Sequence, residues 1–136
     1  MDISSLNSLA PLADIDDLIL MIVRLIFGIT FIYYGQSKIR DLKSNAGDFE
    51  KMGFKPGWFW GTPVALLESI GGLAIILGLF TGIIAIGFAV LMITGIFWKI
   101  TKTEKPFTDW SYDLILLSIA LLLMVTGPGS LNVLLS

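Results

Sequence analysis

Apolar residues occur in long blocks separated by short polar segments, and the block lengths predict helices that cross a membrane. A bilayer core of about 30 Å needs roughly 20 apolar residues of helix. Residues 18–35 form the first block, and residues 64–98 form a second block that contains one charge. At about 1.5 Å per residue the second block is too long for a single crossing, and Gly78 and Gly82 suit a tight turn that divides it. The sequence therefore predicts four spans, at about residues 17–39, 63–80, 82–99 and 110–126.

These spans predict an all-α fold, an integral membrane four-helix bundle that forms one domain over residues 1–136. Between the first two spans, residues 36–61 include Phe49 and Met52 at a spacing that favours a short helix at the membrane interface. A plain connecting loop is the alternative. Thr62-Pro63 predicts the start of the second span, because a hydroxyl can cap a helix and proline suits its first position.

Composition supports a membrane location and excludes several kinds of chemistry. The chain is 55% hydrophobic and 15% charged, whereas soluble domains carry about 25% charged residues. Its net charge of −2 leaves no basic face for a nucleic acid. Since there is no cysteine or histidine, we expect no disulfide, no metal site and no Ser-His-Asp triad. Redox chemistry would need an organic cofactor such as a quinone, or a partner subunit.

Positive charges predict the orientation of the spans. Eight of the nine basic residues lie at or between the ends of spans one and two or of spans three and four. They are Lys38, Arg40, Lys43, Lys51, Lys55, Lys99, Lys102 and Lys105. By the positive-inside rule these connections face the cytoplasm. We therefore expect a multi-pass protein of a prokaryotic inner membrane, with both termini outside.

Charged residues inside predicted spans mark a candidate site, because a charge in the bilayer usually faces the bundle interior and serves function. Arg24, Glu68 and Asp113 lie within spans. Their expected depths place Asp113 near Lys38 and Lys99, and they put Lys38, Glu68 and Asp113 in one cluster. A pocket between charges and aromatic rings suits a polar head group such as a quinone ring. The predicted ligand-binding or buried-charge cluster consists of Arg24, Tyr34, Lys38, Glu68, Tyr112 and Asp113.

A purely structural interpretation of the same residues stays open. Arg24 and Glu68 would then neutralise one another and fix the register of two helices without any ligand. Lys38 and Lys99 would be anchors whose ammonium groups reach the membrane surface. Small residues on the charged faces predict close helix packing, namely at Gly28, Gly35, Gly71, Gly72 and Gly78.

The order and spacing of several short motifs resemble one known family. The motifs are Arg24-Leu-Ile-Phe-Gly28, Glu68-Ser-Ile-Gly71-Gly72, Gly78-Leu-Phe-Thr81 and Gly127-Pro128-Gly129-Ser130-Leu131. Over about residues 20–132 the chain resembles the DoxX family, named after a small subunit linked to thiosulfate:quinone oxidoreductase. The resemblance implies a four-span inner-membrane protein, related to complexes that handle thiols or oxidative stress.

By position, Arg24, Lys38 and Glu68 match charged motif positions of that family. The chain departs from the family at two positions. Tyr34 stands where many members have histidine, and Asn132 where an aspartate often follows.

Three functions are compatible with these features. The first is the quinone-interacting or anchoring subunit of a membrane oxidoreductase system. The second is a non-catalytic scaffold or assembly subunit of a larger complex. The third is a small-solute or lipid carrier, although the sequence has no inverted repeat or broken helix of the kind carriers use. In each case we expect contact with lipid, and association with other membrane subunits or with a second copy.

Overall fold

The computed structural model describes residues 15–129, and all the regular secondary structure in this part of the chain is helical. Four helices are long and apolar enough to cross a membrane. The helices are α1 (Asp16–Arg40), α2 (Leu42–Lys51), α3 (Gly57–Leu77), α4 (Thr81–Thr101) and α5 (Phe107–Thr126). The predicted all-α bundle of four spans is thus confirmed. Asn132, and the Ser130-Leu131 end of the last motif, lie outside the described residues.

The connection between the first two spans contains the short helix α2, so the alternative of a plain loop is wrong. Asp41 caps this helix, because its side chain accepts a hydrogen bond from the Ser44 amide at 3.0 Å. Helix α3 begins at Gly57, six residues before the predicted start at residue 63. Pro63 therefore lies inside the helix, and the predicted Thr62-Pro63 start is wrong. The segment from Gly57 to Trp60, before the predicted start, is helical, and α2 packs against this part of α3.

Helix α3 contains one π-helical turn, Leu67–Gly71, which includes Glu68. A π turn inserts an extra residue and rotates the rest of the helix relative to a continuous α-helix. The first part of α3 packs on α2, whereas the part after the π turn packs along α1. The π turn thus lets one helix present different faces to two neighbours.

A tight turn joins α3 to α4 within the segment where the sequence predicts a break. Gly78 ends α3 with a φ of +77°, a conformation that glycine adopts without steric cost. The predicted role of Gly78 in this turn is confirmed, since its backbone angle ends the helix.

The four long helices form two side-by-side pairs, α1 with α3 and α4 with α5. Three phenylalanine rings join the two pairs at the centre of the bundle. The ring centroids of Phe31 and Phe88 are 4.1 Å apart, and those of Phe27 and Phe88 are 5.3 Å apart. All three side chains are almost fully buried. Large apolar side chains such as Val125 and Ile83 point away from the core, as expected for a surface in contact with lipid.

One end of the bundle carries the two longer connections, residues 41–56 and 102–106, and the eight basic residues named above. We call it the basic end. The opposite end holds the start of α1, the Gly78 turn and the end of α5.

Candidate functional site

A cavity of about 500 Å³ opens between the two helix pairs at the basic end. We call it the polar cavity. Cavities of this size hold small molecules in many proteins. Its polar and charged lining includes Tyr34, Lys38, Asn45, Asp48, Glu68, Lys99, Tyr112 and Asp113. The structure therefore brings five of the six predicted cluster residues together around one space.

The first pair of helices contributes an ion pair to this cavity. Lys38 Nζ on α1 lies 2.6 Å from Glu68 Oε1 on α3. The Glu68 side chain is 6% exposed, whereas that of Lys38 is 32% exposed. Among residues 15–129, no hydrogen-bond partner reaches the second carboxylate oxygen, Oε2, although that atom is buried. Glu68 therefore lines the cavity with a carboxylate that has one oxygen paired with Lys38 and one buried oxygen without a partner among the described residues.

The second pair of helices contributes a matching ion pair. Lys99 Nζ on α4 lies 2.6 Å from Asp113 Oδ2 on α5, and it also donates to the Asp109 carbonyl oxygen at 3.3 Å. The interpretation of Lys99 as a simple surface anchor misses this contact. A sequence signal did exist, because the expected depth of Asp113 in the last span places it near Lys99.

Two tyrosines stand at the border of the polar cavity, one from each helix pair. The ring centroids of Tyr34 and Tyr112 are 6.3 Å apart in an edge-on arrangement, and both side chains are exposed. Phe31 and Leu116, both buried, line the cavity on its apolar side. The cavity thus combines hydroxyl and ammonium donors with a flat apolar surface.

Arg24 does not line the polar cavity. Its guanidinium is buried near the end of α3, where Nη1 donates to the Ile76 carbonyl oxygen at 3.1 Å and to that of Ile75 at 3.5 Å. The last carbonyls of a helix have no partner within the helix, and a cation is favoured there by the helix dipole. The proposed neutralisation of Arg24 by Glu68 is wrong, because Glu68 pairs with Lys38.

Helix α2 supplies a wall that the sequence did not assign to the site. Asn45 is buried and donates from its side-chain amide to the Gly61 carbonyl oxygen at 2.9 Å. Glu50 Oε1 accepts a hydrogen bond from the Gly57 amide at 3.3 Å. Both contacts fix α2 to α3, so that Phe49 and Met52 face the cavity. Their amphipathic spacing was visible in the sequence, but the two polar anchors were not.

Glycines let the helices that carry the charges approach closely. A Cβ atom on Gly28 would lie 2.5 Å from the Gly72 carbonyl oxygen, and one on Gly72 would lie 2.8 Å from that of Gly28. A Cβ atom on Gly35 would lie 2.8 Å from Glu68 Cβ. Gly71 faces α4 instead, with Phe88 at 3.3 Å from its missing Cβ. Backbones in contact hold Lys38 and Glu68 at pairing distance.

A second cavity, of about 400 Å³, lies beside the first and is almost entirely apolar. We call it the apolar cavity. It is bounded by α2, α3 and α4. Its lining comprises Phe49, Met52, Phe54, Trp60, Pro63, Val64, Leu67, Gly87, Val90, Leu91, Thr94, Gly95 and Trp98.

The described residues contain no group of three or more acidic side chains arranged to hold a metal ion. The chemistry available to residues 15–129 at the polar cavity is therefore that of ammonium, carboxylate, amide and phenol groups.

Comparison with known proteins assigns the chain to a family. The family model described as DoxX matches residues 19–99. A Bacillus subtilis protein named "Putative oxidoreductase CatD" is 31% identical over 108 residues, which cover 79% of this chain and 78% of that protein. The search of solved structures gave no significant match. With more than half of its length matched by the family model, the chain is a multi-pass membrane protein that belongs to the DoxX family.

Proposed function

We propose that the chain is the quinone-interacting or anchoring subunit of a membrane oxidoreductase system. The observation that carries this proposal is the polar cavity, where the buried Glu68 keeps a carboxylate oxygen without a partner among the described residues. The related protein from Bacillus subtilis is named as an oxidoreductase, which supports a redox setting.

The side chains around the polar cavity suit both redox forms of a quinone. A quinone ring has two carbonyl oxygens that accept hydrogen bonds, and the ammonium groups of Lys38 and Lys99 and the tyrosine hydroxyls are donors. The reduced form has two hydroxyls that donate, and the carboxylates of Glu68 and Asp113 in the lining are acceptors. The ring itself would lie against Phe31 and Leu116, whose surfaces are apolar. Reduction of the quinone to this form takes two electrons, which a partner subunit would supply, and two protons, which water at the open side of the cavity would supply. A second copy or another subunit would cover part of the bundle.

The proposed orientation follows from the basic end. All eight lysine and arginine residues of that end would face the cytoplasm under the positive-inside rule. Both termini would lie outside the inner membrane. The polar cavity would then open near the cytoplasmic leaflet.

The test is to purify the chain in mild detergent from its native membrane and to identify the extracted small molecules by mass spectrometry. Glu68→Gln removes the carboxylate that lines the cavity. Asp109→Asn is the matched control, because it removes an exposed carboxylate at the same end of the bundle that does not line the cavity. We expect a stoichiometric quinone in the wild type and in Asp109→Asn, and its loss in Glu68→Gln. Bulk phospholipid alone in all three samples would contradict the proposal.

A scaffold or assembly subunit is the second candidate, and one observation favours it. Each ion pair joins the two helices of one pair, since Lys38–Glu68 connects α1 to α3 and Lys99–Asp113 connects α4 to α5. Charges used in this way stabilise the bundle without any ligand. On this proposal Glu68→Gln lowers the amount of assembled complex but leaves its activity per complex unchanged. Activity per complex that falls with the same variant would reject the scaffold.

A further inference from the structure

The apolar cavity and the polar cavity share part of their lining. Phe49, Met52, Val64, Leu91 and Gly95 line both. The two spaces are therefore adjacent along the same face of α4, separated by these five residues. Gly95 has no side chain to fill the boundary, and a Cβ atom there would meet only Asp113 Oδ2, at 3.9 Å.

Two of the three polar side-chain groups in the lining of the apolar cavity have hydrogen-bond partners within the protein. The Thr94 hydroxyl donates to the Val90 carbonyl oxygen at 2.9 Å. The Trp60 indole N–H donates to the Lys55 carbonyl oxygen at 3.3 Å. The remaining lining is aliphatic, aromatic or thioether. The third polar group is the indole N–H of Trp98, for which residues 15–129 provide no hydrogen-bond partner. Apart from this one donor the lining is apolar, which suits a hydrocarbon chain.

The outer border of the apolar cavity faces away from the bundle. Val90 is 58% exposed and Trp60 is 46% exposed, and both lie on helices that are long enough to cross a membrane. The cavity is thus open sideways, toward the hydrocarbon region of the bilayer. A molecule dissolved in the membrane could enter without passing through water.

We propose that the two cavities bind one amphipathic molecule, an isoprenoid quinone whose ring lies in the polar cavity and whose hydrocarbon tail lies in the apolar cavity. This rests on the proposed function and makes it more specific, because it selects lipid-soluble quinones over quinones without a tail. The tail gains little from leaving water, since lipid surrounds it before binding. Its contribution comes from contact with the cavity wall and from orientation of the ring.

The experiment compares two probes that share one ring, menadione without a side chain and menaquinone with an isoprenoid chain. The purified chain is placed in tagged lipid nanodiscs and equilibrated with untagged empty nanodiscs of the same lipid. The excess of quinone in the nanodiscs that contain the protein over the empty ones then measures binding beyond partition into lipid. Val90→Trp fills the apolar cavity from its exposed border. Ile93→Trp is the matched control, because Ile93 is an exposed residue of the same helix that lines neither cavity.

We expect the wild type to bind menaquinone about fivefold more tightly than menadione at equal content in the lipid. Val90→Trp removes this difference and leaves menadione binding unchanged, which also shows that the variant is folded. Ile93→Trp behaves as the wild type. Glu68→Gln weakens the binding of both probes.

Two other results have different meanings. Equal binding of both probes to the wild type, with no effect of Val90→Trp, would overturn the tail site and leave the quinone proposal standing. No enrichment of either probe over empty nanodiscs would reject the proposed function, and the tail site with it.

Discussion

At the residue scale, the two partners of the Lys38–Glu68 pair differ in their access to water. The carboxylate is nearly buried, whereas a third of the lysine side chain is exposed. Lysine can extend its ammonium group to the membrane surface when it loses its partner. A buried carboxylate cannot, and an unpaired buried charge is costly. Loss of the Lys38 ammonium group should therefore destabilise the protein more than loss of the Glu68 carboxylate.

We predict that Lys38→Met destabilises the protein more than Glu68→Gln does. Lys38→Met leaves a buried carboxylate without its cation, and we expect a loss of about 3 kcal/mol in the free energy of unfolding. Glu68→Gln keeps the shape and an acceptor oxygen, so we expect a loss of about 1 kcal/mol. Unfolding by sodium dodecyl sulfate in mixed micelles measures both. The double variant should recover part of the Lys38→Met loss, and equal losses in the two single variants would contradict this account.

Arg24 gives a second prediction, because it holds the end of a helix and lies away from the cavity. Arg24→Leu removes charged hydrogen bonds to the carbonyls of Ile75 and Ile76, each worth about 1.5–3 kcal/mol. We expect lower stability in the same unfolding assay and unchanged quinone binding in folded protein. Weaker quinone binding at equal folding would place Arg24 in the site after all.

At the element scale, α3 uses small residues to accept a different neighbour at each end. Gly57 and Gly61 face α2, and Gly72 faces α1 beyond the π turn. A Cβ atom on Gly57 would overlap the Ala46 carbonyl oxygen, so the two backbones are in direct contact. Helix α2 is therefore a fixed wall of both cavities.

We predict that Gly57→Val releases α2 from α3. The added side chain cannot fit against Ala46 without moving the helix, and α2 carries Lys43 and Lys51 as trypsin sites. Limited proteolysis of vesicles with the basic end exposed should cut the variant faster than the wild type. Gly47→Ala is the matched control, because a Cβ atom there would meet nothing within 4 Å. Alanine in a helix is favoured over glycine by about 0.5–1 kcal/mol, so the control should be cut no faster than the wild type.

The sequence predicted the elements better than the contacts that join them. Apolar block lengths were sufficient for four spans, and amphipathic spacing indicated α2. The early start of α3 lies where α2 packs against Gly57 and Gly61, and the π turn lies between parts of the helix with different neighbours; no local pattern reveals either. The same holds for Arg24, because its partners are backbone carbonyls of a distant helix. Lys38 and Glu68 were expected to be close because the direction of each span sets the depth of its charges.

At the scale of the whole molecule, all eight basic residues of the connections lie at one end. The turn at the opposite end, around Gly78, contains none. Positive charge is retained on the cytoplasmic side during insertion. The arrangement therefore predicts one orientation, with the basic end in the cytoplasm.

We predict opposite labelling of cysteines placed at the two ends. The chain has no native cysteine, so Ser44→Cys reports the basic end and Phe80→Cys reports the other, both at exposed positions. A membrane-impermeant maleimide added to intact cells should label Phe80→Cys and spare Ser44→Cys. Inverted vesicles should give the reverse pattern. Labelling of Ser44→Cys in intact cells would show the opposite orientation.

The placement of the two ion pairs also bears on how the protein enters the membrane. Lys38 pairs with Glu68 within the first helical hairpin, formed by α1 and α3. Lys99 pairs with Asp113 within the second, formed by α4 and α5. Each hairpin thus neutralises these charges internally before the two hairpins meet. The translocon can release the two hairpins into lipid one after the other, and each hairpin then carries a matched pair of charges. Final assembly then brings the phenylalanine rings of α1 and α4 into contact, and the polar cavity between the pairs is complete only when the second hairpin docks.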